Sequence, residues 1–311
     1  MKRVAAIDLG TNTVRMLVAE QAPEGFSTVY SNQIITRLGE GLTATGLLSE
    51  KAMKRTVEGI AHLVSQAQSH RPFDLYIAAT SAARDAGNTA VFARMVKEAV
   101  GADLMVIPWE EEARLSLLGA SLVTGGRLDK FVLFDVGGGS TEYILAASGA
   151  PAGKCGTDLG VVRLTEKYIT KHPVADYEYG RLLAEVEAKV DTAFDTLGAG
   201  GGETVVGTAG TVTSIAAMAL GLTEYDQGRI NNSVVTSADV EALRRKIFAM
   251  TIAERGHLAF LKDGREDLIV PGFAIVQATM NRFGADKLVV SDYGLREGFV
   301  MELLYSPGAW V

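Results

Sequence analysis

The sequence is poor in cysteine and histidine. Its one cysteine, Cys155, excludes an internal disulfide and a paired-cysteine zinc site. The four histidines are scattered, so they form no cluster typical of zinc ligands. At the N-terminus only four apolar residues, Val4 to Ile7, precede Asp8, too few for a signal peptide or a membrane span. We therefore expect a cytoplasmic protein.

An excess of positive charge is also absent. The formal net charge is -7, which excludes broad electrostatic binding to nucleic acid or to an anionic membrane. A polyanionic substrate would need a local basic cleft. Hydrophobic residues make up 48% of the 311 residues, and a chain of this length is expected to divide into two domains.

One local pattern occurs twice. An apolar strand leads to Asp8, a turn follows through Gly10-Thr11-Asn12-Thr13, and a second strand begins at Val14. The stretch from Lys130 to Ala147 repeats this order, with Asp135 before Gly137-Gly138-Gly139-Ser140. Two similar halves built by duplication are therefore predicted.

The segments between the hairpins alternate helix and strand patterns. In the first half, apolar residues at helical spacing mark residues 52–64 and 91–99, with Asn88 as the N-cap of the second helix and Gly101 as its stop. Two buried strands, 74–79 and 104–107, lie between and after these helices. The second half has helical patterns near 176–196, 237–251 and 266–282 and strands at 205–206 and 288–290. This alternation indicates an α/β fold with mixed sheets.

The domain boundary is predicted near Thr124-Gly125-Gly126. The first domain then covers residues 1–124 and the second residues 125–294. A last helix is expected at about 295–311, and the sequence composition alone does not tell which domain it joins.

The two aspartates predict a metal site. Asp8 and Asp135 each end an apolar strand, which is where α/β sheets place their ligands. One or two carboxylates together with water and phosphate oxygens suit Mg²⁺, with Mn²⁺ as an alternative.

The glycine-containing turns predict phosphate binding. Glycine lets backbone N–H groups approach an anion closely. A third element, Gly207-Thr208-Ala209-Gly210-Thr211, follows a strand and opens an alanine-rich helix, whose N-terminus suits an anion. Each turn taken alone is equally well explained as an ordinary structural turn. The sequence contains no Walker motif, so a P-loop enzyme is not predicted. The occurrence of two equivalent turns, each after an aspartate, favours phosphate binding.

A run of three glutamates, Glu110 to Glu112, begins a predicted helix. Acidic residues in a first turn stabilise the helix dipole, which is a sufficient explanation of the run. Alternatively, one of them is a general base that takes a proton from attacking water. Arginines suited to bidentate phosphate contacts are Arg37, Arg84, Arg163, Arg265 and Arg296.

Six segments of the chain resemble motifs of the exopolyphosphatase and guanosine pentaphosphate phosphatase (PPX/GppA) family and occur in the family's order. They are residues 8–13, 79–88, 111–115, 135–142, 207–211 and 292–298. The resemblance implies two actin-like (ribonuclease H-like) domains of the actin, sugar-kinase and heat-shock-chaperone superfamily. It also implies that the last helix rejoins the first domain.

The same resemblance implies the site residues. Glu112 is then the catalytic base, and Glu142 and Asp135 are acidic residues for water activation or metal binding, with Asp8 at the equivalent position of the first hairpin. Phosphate contacts are implied for Gly10, Thr11, Asn12, Thr13, Arg84, Gly137, Gly138, Gly139, Ser140, Thr141, Gly207, Thr208, Gly210 and Thr211.

Two departures from the family pattern stand out. With its last residue at Val311, the chain is expected to lack the additional C-terminal domains of long family members, and processive action on long polymers is then not expected. Many members carry His-Gly where this chain has Asn231-Asn232, so its substrate preference could differ.

The expected activity is release of terminal orthophosphate from inorganic polyphosphate, with guanosine pentaphosphate as the alternative substrate. Two other hypotheses stay open: a sugar kinase of the same superfamily, and a regulatory protein that binds a nucleotide or alarmone without hydrolysis. A homodimer is the preferred oligomeric state, and neither nucleic acid nor membrane is expected as a partner.

Overall fold

The structure is a computed structural model that describes residues 2–125, 128–261 and 264–306. Gly126 of the predicted boundary and residues 307–311 of the predicted last segment lie outside the described residues. The chain falls into two compact units. The first comprises the described residues of Met1–Leu122 and Leu295–Val311, and the second those of Val123–Gly294.

The first unit contains a five-stranded sheet in the order β3-β2-β1-β4-β5. The strands are β1 Arg3–Leu9, β2 Thr13–Gln21, β3 Phe26–Ile35, β4 Asp74–Ala79 and β5 Leu104–Val106. β2 is antiparallel to both its neighbours, whereas β1, β4 and β5 run parallel. This order and direction are those of the ribonuclease H-like fold.

Helices cover both faces of this sheet. They are α1 Leu42–Thr45, α2 Glu50–Gln66, α3 Ser81–Asp85, α4 Thr89–Val100, α5 Trp109–Thr124, which ends just past the unit boundary, and α13 Leu295–Tyr305. Alternate residues of β1 belong to two different cores, Ile7 to the core under α2 and α4, and Ala6 to the core under α13. Because β1 is buried on both faces, its sequence is an uninterrupted apolar run up to Asp8.

The last helix, α13, lies against β1 and β2. Gly298 permits its close crossing over α5, since a Cβ on Gly298 would lie 1.9 Å from the carbonyl oxygen of Leu115. Arg296 pairs with the neighbouring Glu297 at 2.6 Å and donates to Ser31 of β3. This arginine therefore links the start of the helix to β3.

The second unit repeats the topology with one added strand. Its sheet order is β10-β11-β9-β6-β7-β8, in which β10 is an extra antiparallel edge. The strands are β6 Lys130–Val136, β7 Thr141–Ala147, β8 Ala150–Thr157, β9 Thr204–Thr208, β10 Val234–Thr236 and β11 Lys287–Val290. The helices are α6 Val161–Tyr168, α7 Asp176–Leu197, α8 Ala209–Ala219, α9 Gln227–Ile230, α10 Ser237–Phe248, α11 Ile252–Gly256 and α12 Ile269–Phe283. The predicted α/β fold class with two ribonuclease H-like sheets is confirmed.

Two local predictions were wrong in detail. Asn88 precedes α4 but does not cap it with its side chain; instead its amide bonds both backbone groups of Leu48, each at 2.9 Å. β5 is an edge strand rather than a buried one, and Val106 is 41% exposed. Both features depend on segments that are distant in the sequence, because Asn88 binds Leu48 and the position of β5 is set by the order of the strands in the sheet.

None of the helices in the described residues combines the length and the apolarity that crossing a membrane requires.

Candidate active site

The two hairpin turns are built alike. Gly10 N donates to Thr13 O at 3.0 Å, and Gly137 N donates to Ser140 O at 2.9 Å. These hydrogen bonds occupy equivalent positions, so the alignment of Gly10 with Gly137 made from the sequence is confirmed by geometry. Both turns lie at the carboxyl end of the first strand of their sheet, where α/β folds bind ligands.

In the second turn the carbonyl groups point towards helix α6. Gly137 O accepts from Val161 N at 3.1 Å, and Gly138 O accepts from Val162 N at 2.8 Å. Gly139 O accepts from the guanidinium of Arg163 at 3.2 Å. In a trans peptide the C=O and the following N–H point in opposite directions. The N–H groups of Gly138, Gly139 and Ser140 are therefore turned away from α6, as in an anion-binding nest.

In the first turn the carbonyl groups also accept hydrogen bonds from one side, but from different backbone partners. Thr11 O accepts from Gly39 N, and Asn12 O accepts from both Thr36 N and Arg37 N, each at 2.9 Å. The N–H groups of Asn12 and Thr13 are consequently directed to the opposite side. Thr11 Oγ1 and Asn12 Oδ1 are buried and make no hydrogen bond within the described part of the chain. Such polar atoms favour a ligand or water at this turn.

The residue that faces each aspartate differs between the units. Asp8 lies opposite Arg15 in the strand register and accepts two hydrogen bonds from its guanidinium, at 2.7 and 3.0 Å. Asp135 lies opposite Glu142, and the two residues are 8% and 1% exposed. Directly opposite residues of antiparallel strands project from the same face. The first hairpin therefore carries an ion pair, and the second carries two buried carboxylates.

Glu112 lies in the first turn of α5 and is 8% exposed, whereas the neighbouring Glu110 is exposed. Its carboxylate accepts from Arg84 Nη1 at 3.0 Å, and the same nitrogen donates to Ile107 O at 3.0 Å. Glu111 is held by Arg114. Of the three glutamates, Glu112 is thus the buried one, oriented by an arginine that strand β4 and helix α3 bring to it.

The third predicted loop is shorter than expected. Gly207 and Thr208 belong to β9, and Gly207 has no room for a side chain because a Cβ would lie 3.0 Å from the Phe134 ring. Thr208 donates its hydroxyl to Tyr293 O at 3.1 Å. Strand pairing continues through Thr208, and the phosphate contacts predicted for these two residues stay predictions. Gly210 and Thr211 lie in the first turn of α8, as predicted.

Arg265 lies over this first turn. Its guanidinium carbon would be 3.3 Å from a Cβ placed on Gly210. A positive charge next to the positive end of a helix dipole is an arrangement that an anion stabilises. The sequence offered Arg265 as one of several arginines, and only the fold singles it out.

The side chain of Thr141 has a partner within the second unit. It is completely buried and donates its hydroxyl to Leu159 O at 2.5 Å. The side chain predicted to contact phosphate is therefore used to join β7 to the loop before α6.

Gly160 supports the second turn by close approach. A Cβ on Gly160 would lie 2.2 Å from the carbonyl carbon of Gly139 and 2.3 Å from Gly138 O. We expect Gly160→Ala to displace the turn, to lower the activity expected from the sequence at least tenfold and to destabilise the protein by about 1–3 kcal/mol. Thermal unfolding and steady-state kinetics measure both effects.

Gly180→Ala is the matched control for this substitution. Gly180 lies inside α7 with open space around its Cβ position. Alanine is the better helix former there, so a small gain in stability and unchanged activity are expected. Equal losses in both variants would refute the role given to Gly160.

Comparisons with known proteins identify the family of this chain. The model of the Ppx/GppA phosphatase family matches residues 17–306. Exopolyphosphatase 2 of Mycobacterium tuberculosis is 34% identical over 316 residues, covering 97% of this chain and 99% of that protein. Guanosine-5'-triphosphate,3'-diphosphate pyrophosphatase of Photobacterium profundum is 26% identical, covering 96% of this chain and 59% of that protein.

Solved structures give the same result. An exopolyphosphatase-like protein superposes with a TM-score of 0.89 at 32% identity, covering 97% of each chain. The Aquifex aeolicus member of the Ppx/GppA family superposes with a TM-score of 0.82 at 27% identity, covering 98% of each chain. This chain belongs to the Ppx/GppA phosphatase family.

Proposed function

We propose that this protein is an exopolyphosphatase that hydrolyses the terminal phosphoanhydride of inorganic polyphosphate. The observation that carries the proposal is the second turn, where three successive N–H groups are turned to one side beside two buried carboxylates. Such a turn recognises phosphate oxygens without requiring any other part of a substrate. The full-length similarity to a protein named exopolyphosphatase 2 supports the same substrate.

Asp135 and Glu142 suit a hard divalent cation, for which we propose Mg²⁺, with Mn²⁺ as the alternative. Two carboxylates that project from the same face of neighbouring strands offer the oxygen ligands that such a cation takes. Mg²⁺ takes one or two carboxylates and keeps water and phosphate oxygens. When bound, the ion would neutralise charge on the phosphate oxygens.

In the proposed reaction Glu112 accepts a proton from water as the water oxygen attacks the terminal phosphorus. The new P–O bond forms as the bridging P–O bond breaks, and the shortened chain leaves with the bonding electron pair. Arg84 keeps the Glu112 carboxylate oriented through its contacts with Glu112 and Ile107 O. The N–H groups of the second turn, together with Gly210, Thr211 and Arg265, bind the phosphates and stabilise the developing charge.

Asp8 takes a different part in this proposal from the metal role expected from the sequence. Its carboxylate is neutralised by Arg15, so it serves to hold that arginine at the first turn. The proposed metal ligands are accordingly Asp135 and Glu142.

Guanosine pentaphosphate is the second candidate substrate, favoured by the similarity to the Photobacterium protein. Phosphate release by the purified protein with Mg²⁺ distinguishes the two, with short polyphosphate, long polyphosphate, guanosine pentaphosphate and ATP supplied separately. We expect release from polyphosphate to be fastest. A preference for guanosine pentaphosphate would replace the proposed substrate, and no release from any of them would favour a regulatory protein that binds without hydrolysis.

A further inference from the structure

A fully buried arginine lies in the second unit, outside the residues assigned above. Arg255, on the short helix α11, is 0% exposed. Its guanidinium donates to Ile247 O at 2.9 Å, contacts His172 Nδ1 at 3.0 Å and reaches Glu266 O at 3.4 Å. Since arginine only donates, His172 Nδ1 must accept this hydrogen bond. Arg255 thus gathers three separate segments around one positive charge.

Burial lowers the pKa of Arg255 to about 10, with Asp267 acting in the opposite direction. The side chain is still protonated at neutral pH, because its pKa remains well above 7. The contacts of Nε and Nη1 compensate part of the lost hydration, while Nη2 makes no hydrogen bond among the described residues. The hydrogen bonds of Arg255 therefore hold the segments around Ile247, His172 and Glu266 in place.

The segment that Arg255 holds contains Arg265. Besides its carbonyl contact with Arg255, Glu266 accepts backbone hydrogen bonds with its carboxylate, from Gly264 N at 2.7 Å and from Arg265 N at 2.9 Å. Glu266 is therefore fixed through its carbonyl and caps the backbone of the residue before it. These bonds determine the direction in which Arg265 leaves the chain towards Gly210.

We propose that Arg255 and Glu266 are positioning residues that hold the guanidinium of Arg265 over the first turn of α8 to receive a substrate phosphate. The proposal rests on the proposed function only in taking Arg265 as a phosphate contact. A side chain as long as arginine loses much rotamer freedom on binding, and a fixed backbone reduces that loss. The expected consequence is tighter substrate binding, with little effect on the proton transfer at Glu112.

A double-mutant cycle tests this coupling. Binding of inorganic tripolyphosphate is measured by calorimetry for wild type, Arg265→Ala, Glu266→Ala and the double variant, all carrying Glu112→Gln to suppress turnover. We expect about tenfold weaker binding for Arg265→Ala and threefold to tenfold weaker binding for Glu266→Ala. The double variant should bind within twofold of Arg265→Ala, because Glu266 acts through Arg265.

Two substitutions separate positioning from general stability. Glu266→Gln keeps a carbonyl oxygen as acceptor and should restore most of the affinity. Glu241→Ala removes another carboxylate of the same unit that is bound by Arg244 and Arg245, and its affinity should equal that of wild type. Arg255→Lys keeps the charge but loses the fork of donors, so its affinity should resemble that of Glu266→Ala.

The proposal would be overturned if the affinity losses of the two single variants multiplied in the double variant. It would also be overturned if Glu266→Ala bound tripolyphosphate with wild-type affinity. If Arg255→Lys does not fold, the cycle through Glu266 still decides. A failure of the proposed function gives a different result. The wild-type protein would then bind tripolyphosphate without releasing phosphate, and the double-mutant cycle would still measure the coupling between Glu266 and Arg265 in binding. Wild type that did not bind tripolyphosphate would refute the positioning role itself.

Discussion

Glu112→Gln is expected to lower kcat by about 10²- to 10⁴-fold while the affinity for polyphosphate stays within a few-fold of wild type. The amide cannot accept a proton from water at neutral pH, but its carbonyl oxygen can still accept the hydrogen bond that Arg84 donates at 3.0 Å. The side chain at position 112 keeps its shape and orientation, and only its ability to accept a proton is lost. Steady-state phosphate release and calorimetric binding measure the two quantities separately.

Glu110→Gln is the control for that substitution. Glu110 is exposed in the same helical turn, so removing its charge costs only a small part of the favourable interaction with the helix dipole. Its kcat should stay near that of wild type. Near-normal turnover in Glu112→Gln, or equal losses in both variants, would remove Glu112 from the proposed role.

Asp135→Asn is expected to raise the Mg²⁺ concentration needed for half-maximal activity at least tenfold. Asp135 and Glu142 lie directly opposite each other and are both buried, so the loss of one carboxylate halves the negative charge available to the ion. A titration of activity with Mg²⁺ gives the half-saturation value, and direct calorimetric binding of Mn²⁺ checks it without turnover. An unchanged half-saturation value would contradict the metal role.

Asp8→Asn is the matched substitution in the other unit. Its carboxylate is already neutralised by Arg15, so the Mg²⁺ requirement should change less than threefold. The thermal midpoint should fall, because a partly buried ion pair loses its negative charge. Equal shifts in the Mg²⁺ requirement for both aspartates would show instead that Asp8 contributes to the ion site as the sequence first suggested.

The two hairpins show how a duplicated unit acquires different chemistry. Their turns share the hydrogen bond from the first glycine to the residue three positions later. Among their differences is the residue opposite the aspartate, which is Arg15 in one unit and Glu142 in the other. A single change of charge opposite an aspartate converts an ion pair into a pair of carboxylates suited to a cation.

The departure Asn231-Asn232 also has a structural explanation. Asn232 has a φ of 60°, a left-handed conformation that glycine adopts most readily and asparagine tolerates better than most other residues. Its amide donates to Val123 O at 2.8 Å, and Asn231 Oδ1 accepts from Asp292 N at 2.7 Å. The two asparagines therefore join backbone segments that are distant in the sequence.

Strongly periodic or apolar segments could be predicted from the sequence. The strand Asp74–Ala79 was predicted with the bounds observed, and α7 and α12 were found within a few residues. These elements owe their character to burial, which leaves a pattern in the sequence. The strand bounds near Gly207 were missed, because glycine and threonine there pair in a sheet although they favour turns elsewhere.

The sequence by itself determined the repeated hairpins, the α/β class and the acidic and glycine-rich positions, because each depends on residues adjacent in the chain. Only the tertiary structure decided which arginine meets which group. Arg84 contacts Glu112 and Arg15 contacts Asp8. Arg265 lies over Gly210, and Arg296 anchors a helix. Long side chains of identical chemistry look alike in a sequence, and their partners are chosen by the packing of distant segments.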